Sequence, residues 1–233
     1  MRRGLAACAV ALLCACAAPP APSPGRAGAW GYLKLVPREG VANVVAAPHA
    51  YGDRRLEGVE WVDYSKPGFA VIFAEDAAPP QHERVVIALR AGDGGTRLEP
   101  PRAAIGAGGE IRVENQSGAP HVVSVPGAGA VRELAAGASM TVAATAPGEW
   151  PVFALDVPGA RTLVFAAPGR YSVVSESGRF SLADLPPGRQ RLVAWHPRFP
   201  SASSVVELQP DRLTRVDFEL RADRRDEGTA RAE

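Results

Sequence analysis

Residues 106–124 read GAGGEIRVENQSGAPHVVS, and this stretch decides the fold class. Three glycines form a turn, and the run from Gly109 to Glu114 then alternates polar residues with Ile and Val. Alternation with a period of two is typical of a half-buried strand. The polar NQSG segment ends this strand, and a second apolar run begins at His121 and ends at Val125. The stretch therefore predicts two short strands separated by turns.

The same pattern of short apolar runs and turn residues extends in both directions from this stretch. About fourteen runs recur with turns every 8–12 residues, and no window shows a helical period over ten residues. The chain contains 24 Gly and 22 Pro, which disfavour long helices. We therefore predict an all-β protein. At this strand number, two antiparallel β-sandwiches fit better than one.

Composition excludes one large class of partner. The 233 residues carry 26 Lys and Arg against 25 Asp and Glu, a formal charge of +1. A protein that binds nucleic acid through its phosphates is normally strongly basic, so no nucleic-acid partner is expected. Hydrophobic residues make up 46% of the chain, enough for a core. The segment 223–233 is charged and has no large apolar residue, which predicts a disordered tail.

The first residues have the composition of an export signal. Arg2 and Arg3 precede an apolar run from Leu5 to Ala15, which is too short to span a bilayer. The run ends in LCAC, which resembles a bacterial lipobox, and the resemblance implies cleavage before Cys16 and a lipid on that residue. We predict a signal peptide over 1–15, a flexible tether over 16–29, and a membrane-anchored lipoprotein on the periplasmic side or in the outer membrane. Cleavage after Ala15 or Ala18 is the alternative and would give a soluble periplasmic protein.

The cysteines limit the chemistry of the folded part. Cys8, Cys14 and Cys16 are the only three, and all lie in this first segment. The remainder of the chain therefore has no disulfide, no thiolate nucleophile and no cysteine metal ligand.

The middle of the chain resembles the cupredoxin-like domains of periplasmic proteins of the methylamine-utilization type. The similarity is carried by LEPP at 98–101, the GAGGEIRVEN run at 106–115 and HVVS at 121–124. In that family a histidine at this place is the first copper ligand, and His121 stands at its position. The resemblance thus implies a Greek-key β-sandwich over residues 91–167.

The other copper ligands of that family have no counterpart here. The family carries Cys, His and Met in a loop that corresponds to ALDVPGA at 154–160, where this chain has Ala154, Val157 and Ala160. A blue-copper site needs a thiolate and two imidazoles. The resemblance therefore implies the fold and argues against the metal, and we expect no cofactor.

A second resemblance lies nearer the C-terminus. The run SGRFSLADLPPGRQRLVAWHP at 177–197 is similar to the hairpin of carboxypeptidase regulatory-like domains, which are transthyretin-like β-sandwiches. We predict that residues 30–90 and 168–222 form such a sandwich, split by the cupredoxin-like unit. The alternative is three consecutive pieces.

No catalytic set is recognisable. The chain has no G-x-S-x-G motif and no carboxylate pair that can be assigned as acid and base. We therefore predict a non-enzymatic binding or scaffolding module whose partner is a protein or a glycan. The candidate binding residues are His121, Trp195 and His196.

Two alternatives remain open at this point. A copper-binding or electron-transfer-related protein would require His121, His196 and Met140 to converge. A carbohydrate-binding module would require exposed, coplanar aromatic rings from Trp61, Trp150 and Trp195.

Overall fold

The computed structural model of the protein describes residues 19–38 and 63–222. Within these ranges the chain is all-β, and its one helical segment is a 3₁₀ turn at Pro126–Ala128. The strands are β1 Ala27–Val36, β2 Val71–Ala74, β3 Arg84–Gly92, β4 Gly95–Glu99, β5 Arg102–Gly106, β6 Glu110–Asn115, β7 His121–Val125, β8 Ala130–Leu134, β9 Ser139–Ala143, β10 Gly148–Ala154, β11 Arg161–Ala167, β12 Arg170–Val173, β13 Arg179–Leu185, β14 Gly188–His196, β15 Phe199–Leu208, β16 Leu213–Arg215 and β17 Phe218–Arg221.

The first sandwich is built from strands at both ends of the described chain. One sheet has the order β13-β1-β16, with β17 also paired to β1, and the other has the order β12-β2-β14-β15. Alternate residues of β1, such as Leu33 and Leu35, point into the core between them. The same core contains the buried side chains of Ile72, Phe180 and Leu192.

The second sandwich is formed by the middle of the chain. Its sheets have the orders β4-β3-β6-β9 and β5-β11-β10-β7-β8. The alternation read in the sequence is visible in β6, where Ile111, Val113 and Asn115 are buried while the residues between them are half-buried. Trp150 packs in the same core and is 4% exposed.

The prediction of an all-β fold with antiparallel sandwiches is confirmed, and the sheets also contain some parallel strand pairs. β3 runs parallel to β6, β5 runs parallel to β11, and β1 runs parallel to both β16 and β17. In each case the paired strands are not consecutive, so the connection between them crosses over and returns in the same direction. Composition and turn spacing do not predict these parallel pairs, because they carry information only about residues that are close together in the sequence.

The two sandwiches pack on each other through a third buried cluster. The ring of Trp195 stacks on Phe165 with centroids 3.9 Å apart and 18° between the ring planes. Phe73 also contacts Phe165, at a centroid distance of 5.9 Å. At the edge of this cluster Tyr171 donates its hydroxyl to Glu83 Oε2 at 2.9 Å, and the amide of Gly106 donates to the same oxygen at 2.8 Å.

Two predicted boundaries need correction. The boundary between residues 90 and 91 falls inside β3, which pairs along its length with β6 and so belongs to the second sandwich. The tether predicted over 16–29 is also too long, because β1 begins at Ala27. Before that strand, the amide of Ser23 donates to Asp184 Oδ1 at 2.8 Å and that of Gly25 to Asp211 Oδ1 at 2.6 Å. These bonds fix the chain to the fold from residue 23 onward.

Several predictions concern residues outside the described ranges. They are the signal peptide 1–15, the lipidation of Cys16, the tail 223–233 and the role of Trp61. In residues 19–38 and 63–222 no helix has the length and apolar character needed to cross a bilayer.

Candidate functional site

A buried asparagine at the end of β6 positions the first candidate residue. Asn115 is fully buried, and its Nδ2 donates to the carbonyls of Ala119 at 2.7 Å and Leu134 at 2.8 Å. Its Oδ1 accepts from the hydroxyl of Ser117 at 2.7 Å. These bonds hold the loop before β7 and so position His121, which is the first residue of that strand.

His121 forms a pair with a carboxylate. Its side chain is 10% exposed, and its Nδ1 lies 2.7 Å from Asp156 Oδ2. The other oxygen of Asp156 accepts from the amide of Val122 at 3.0 Å. Burial acts to raise the pKa of Asp156, but the hydrogen bonds from His121 and Val122 outweigh it and hold that pKa below 3.8. Because an ionised carboxylate only accepts, Nδ1 of His121 must carry a proton and donate.

The loop of residues 154–160 closes on itself next to this pair. The amide of Ala154 donates to the carbonyl of Ala160 at 3.0 Å, and that of Val157 donates to the carbonyl of Ala154 at 3.2 Å. This tight loop places Asp156 beside His121. Asp156 lies within the loop 154–160 that the resemblance aligns with the family's copper-ligand loop. No signal in the sequence predicts that it pairs with His121.

The residues of this loop do not fit a type 1 copper ion. The positions that the family resemblance gives to Cys, His and Met hold Ala154, Val157 and Ala160, whose side chains have no lone pair. The histidine nitrogen that faces the loop is already bonded to Asp156. A carboxylate–imidazole pair therefore occupies the place at which the resemblance puts a copper centre.

His196 lies in the other sandwich. It ends β14, is 5% exposed, and its Nδ1 accepts from the amide of Arg198 at 3.0 Å. Its ring contacts Phe199 edge-on with centroids 4.9 Å apart. Burial, and to a smaller extent the positive charge of Arg102, lower the pKa of His196 to about 4.

The structure therefore does not assemble the three residues that a copper site would require. His121 and His196 lie in different sandwiches with different partners, and Met140 is buried in the core of the second sandwich. Among the described residues, no group of three His, Cys, Asp or Glu side chains is placed to hold a metal ion.

The tryptophans do not form a flat exposed surface. Trp150 is buried and donates its indole N–H to the carbonyl of Ala146 at 2.9 Å. Trp195, predicted as a binding residue, is half-buried between the sandwiches, where it stacks on Phe165 and meets Phe69 edge-on. The expectation of coplanar exposed rings is therefore not met by these two, because both pack against the protein itself.

Comparison with known proteins gives a likeness to cupredoxins over part of the chain. No family model and no curated protein sequence matches it. The purple cupredoxin from Nitrosopumilus maritimus matches with a TM-score of 0.32 and 18% identity, covering 36% of this chain and 99% of that chain. Pseudoazurin from Hyphomicrobium denitrificans matches with a TM-score of 0.31 and 15% identity, covering 36% and 75%. Amicyanin from Paracoccus versutus matches with a TM-score of 0.30 and 18% identity, covering 41% and 90%. The similarity to carboxypeptidase regulatory-like domains stays a prediction.

Proposed function

We propose that this protein is a non-enzymatic lipoprotein of the cell envelope that works as a binding or scaffolding module. Its cupredoxin-like unit carries no type 1 copper. The partner is a protein or a glycan rather than a nucleic acid, since the chain is nearly neutral. The anchor is a lipid on Cys16, which holds the folded part outside the cytoplasm.

One observation carries the proposal. At the position that the resemblance assigns to the first copper ligand, His121 is bonded to Asp156 at 2.7 Å. The three further ligand positions have hydrocarbon side chains. A two-sheet framework whose ligand positions hold a hydrogen-bonded imidazole–carboxylate pair and hydrocarbon side chains cannot carry out copper electron transfer, but its surface can still bind a partner.

The framework also offers places for a partner to bind. β8 is the last strand of its sheet, so one side of its backbone has no partner strand among the described residues. Val131 on this strand is 63% exposed. Sheet edges and the loops beside them are common contact surfaces in β-sandwich proteins.

The first experiment tests the anchor. The full chain is expressed in a Gram-negative host that is fed an alkyne-tagged palmitate, and lipid incorporation is read on a gel. We expect labelling of the wild type and of Cys14→Ser, and none of Cys16→Ser. Equal labelling of both variants, or an unlabelled wild type, contradicts the lipoprotein proposal.

The second experiment tests the metal. The purified protein is titrated with Cu(II), and the visible spectrum and bound copper are measured. We expect no coloured complex of one copper per chain, because no thiolate is present to give the charge-transfer band. A tight, coloured one-to-one complex would overturn the proposal.

A further inference from the structure

One edge of the first sandwich is open along a long strand. β15 is the last strand of the order β12-β2-β14-β15 and pairs with β14. Among the described residues, none of the backbone hydrogen bonds outside the strand ladders involves a residue of β15. β17 of the opposite sheet lies nearby, but it pairs with β1. One side of the β15 backbone therefore has donors and acceptors without a partner strand in the described part of the chain.

β15 differs from the other edge strands of the described ranges in length and charge. With ten residues it is the longest strand at a sheet edge, and Glu207 is its one charged residue. Edge strands in natural proteins are usually short or carry charged side chains that block pairing with another chain. β4 has Arg97 and Glu99, and β8 has Arg132 and Glu133. β9 has no charge but only five residues. β15 is therefore long enough to pair with a further strand and has few of the charges that prevent it.

The side chains of β15 also suit a further strand. On the outer face Ser203 and Val205 are exposed, Val205 by 51%. On the other face Ala202 and Leu208 lie in the core, and Val206 packs against that core while half-buried. A strand added at this edge would cover Val205 on one face and extend the core beyond Val206 on the other. Pairing would therefore bury apolar surface on both faces and satisfy the free backbone groups.

We propose that β15 pairs with β15 of a second copy of this chain, antiparallel and across a two-fold axis. Residues directly opposite each other in a sheet have their side chains on the same face, whereas successive residues alternate between faces. A strand that pairs with its own copy must therefore have one residue opposite itself. In the register centred on Val205, the two exposed valines lie opposite each other, and Val206 lies opposite Ser204 of the second copy. Two four-stranded sheets then join into one continuous sheet, which is a symmetric interface of the commonest kind in homo-oligomers.

Charge does not oppose this pairing. Glu207 lies opposite Ser203 of the second copy in this register, and it is about 14 Å from the other Glu207, beyond the screening length of ~8 Å at physiological salt. The whole chain has a formal charge of only +1, so long-range repulsion between two copies is weak. The inference concerns self-association, and it goes beyond the proposed function without depending on it.

Sedimentation analysis of the full chain, with its three N-terminal cysteines replaced by serine, tests the association. We expect a dimer that dissociates on dilution. Val205→Lys places two like charges directly opposite each other and should leave only monomer. Val131→Lys is the matched control, because Val131 is a 63% exposed valine on β8, outside the proposed interface, and this variant should remain a dimer.

Disulfide cross-linking tests the register. The chain beyond residue 16 has no cysteine, so one introduced cysteine reports on its own position. Val205→Cys should give a covalent dimer under mild oxidation, because the two Cβ atoms would be about 5 Å apart. Ser201→Cys, on the same face of the same strand, should not, because its two copies would be about 27 Å apart.

Three results overturn the proposal. The first is a chain that stays monomeric at high concentration, which is expected if this edge takes a strand of another protein or none. The second is a dimer that Val131→Lys abolishes and Val205→Lys retains, and the third is equal cross-linking of Val205→Cys and Ser201→Cys. Circular dichroism checks that each variant is folded. Lipid labelling and copper uptake are measured separately, so a monomeric chain leaves the proposed function standing.

Discussion

The pair of His121 and Asp156 gives the sharpest test of how the second sandwich is held together. Asp156→Ala removes two hydrogen bonds, one from the imidazole at 2.7 Å and one from the amide of Val122 at 3.0 Å. It also leaves a largely buried ring without a partner for Nδ1, and Nε2 of that ring has no partner among the described residues either. Each nitrogen without a partner carries a desolvation cost that the folded state must bear.

The expected size of the effect follows from the exposure of the two groups. A hydrogen bond to a charged group contributes about 1.5–3 kcal/mol, and the lower half applies because the Asp156 side chain is 39% exposed. We therefore expect a loss of about 2 kcal/mol in the free energy of unfolding, or about 4–8 °C in Tm for a chain of this size. Urea unfolding followed by tryptophan fluorescence, in which the buried Trp150 reports on this core, measures it.

The pH dependence provides a second readout. The pKa of Asp156 in the folded protein is lower than its unfolded value of 3.8. Its contribution to the free energy of unfolding is therefore complete above pH 3.8 and is lost as the pH falls through the folded pKa. The difference between wild type and Asp156→Ala should thus be constant from pH 7 to about 5 and shrink below about 4. Asp93→Ala, which removes an exposed carboxylate from the turn between β3 and β4, is the control. If Asp156→Ala is no less stable than this control at pH 7, the account of the pair is wrong.

Three further substitutions test other parts of the fold. Gly31→Ala would place a methyl group into the carbonyl of Val216, and should cost several kcal/mol in unfolding by urea, whereas Gly94→Ala, with open space around it, should be nearly neutral. Asn115→Ala deletes the donors that fix the turn before β7 and should lower stability by about 3 kcal/mol, a value that chemical denaturation can refute. Trp195→Ala removes the stacked ring between the sandwiches, and calorimetry should show a lowered or divided thermal transition, while one unchanged transition would contradict its role.

The sequence predicts the strands where alternation or turn chemistry is strong. The run GEIRVE and the hairpin at 177–197 are strands in the structure because their apolar residues face a core. The sequence of β8 carries no such signal, because Val131, Arg132 and Glu133 are all exposed and buried residues do not alternate with exposed ones. β8 is held by its backbone pairing with β7, and such pairing does not require a particular amino-acid composition.

The candidate site was predictable in part. The resemblance singled out His121 and the loop 154–160, but the partnership with Asp156 depends on how the loop closes, which residue spacing does not reveal. The sequence also predicts Trp195 and His196 as binding residues. The structure buries His196 beside Phe199 and uses Trp195 to join the sandwiches.

The bonds that hold residues 23–26 have a consequence for how the molecule meets its membrane. With a lipid on Cys16, as proposed, six residues from 17 to 22 separate the anchor from the first residue bonded to the fold. Six residues reach about 20 Å at full extension. The corner of the first sandwich that holds Asp184 and Asp211 would then stay near the lipid headgroups. A partner could be captured only within a thin layer above the bilayer, and from a restricted range of directions.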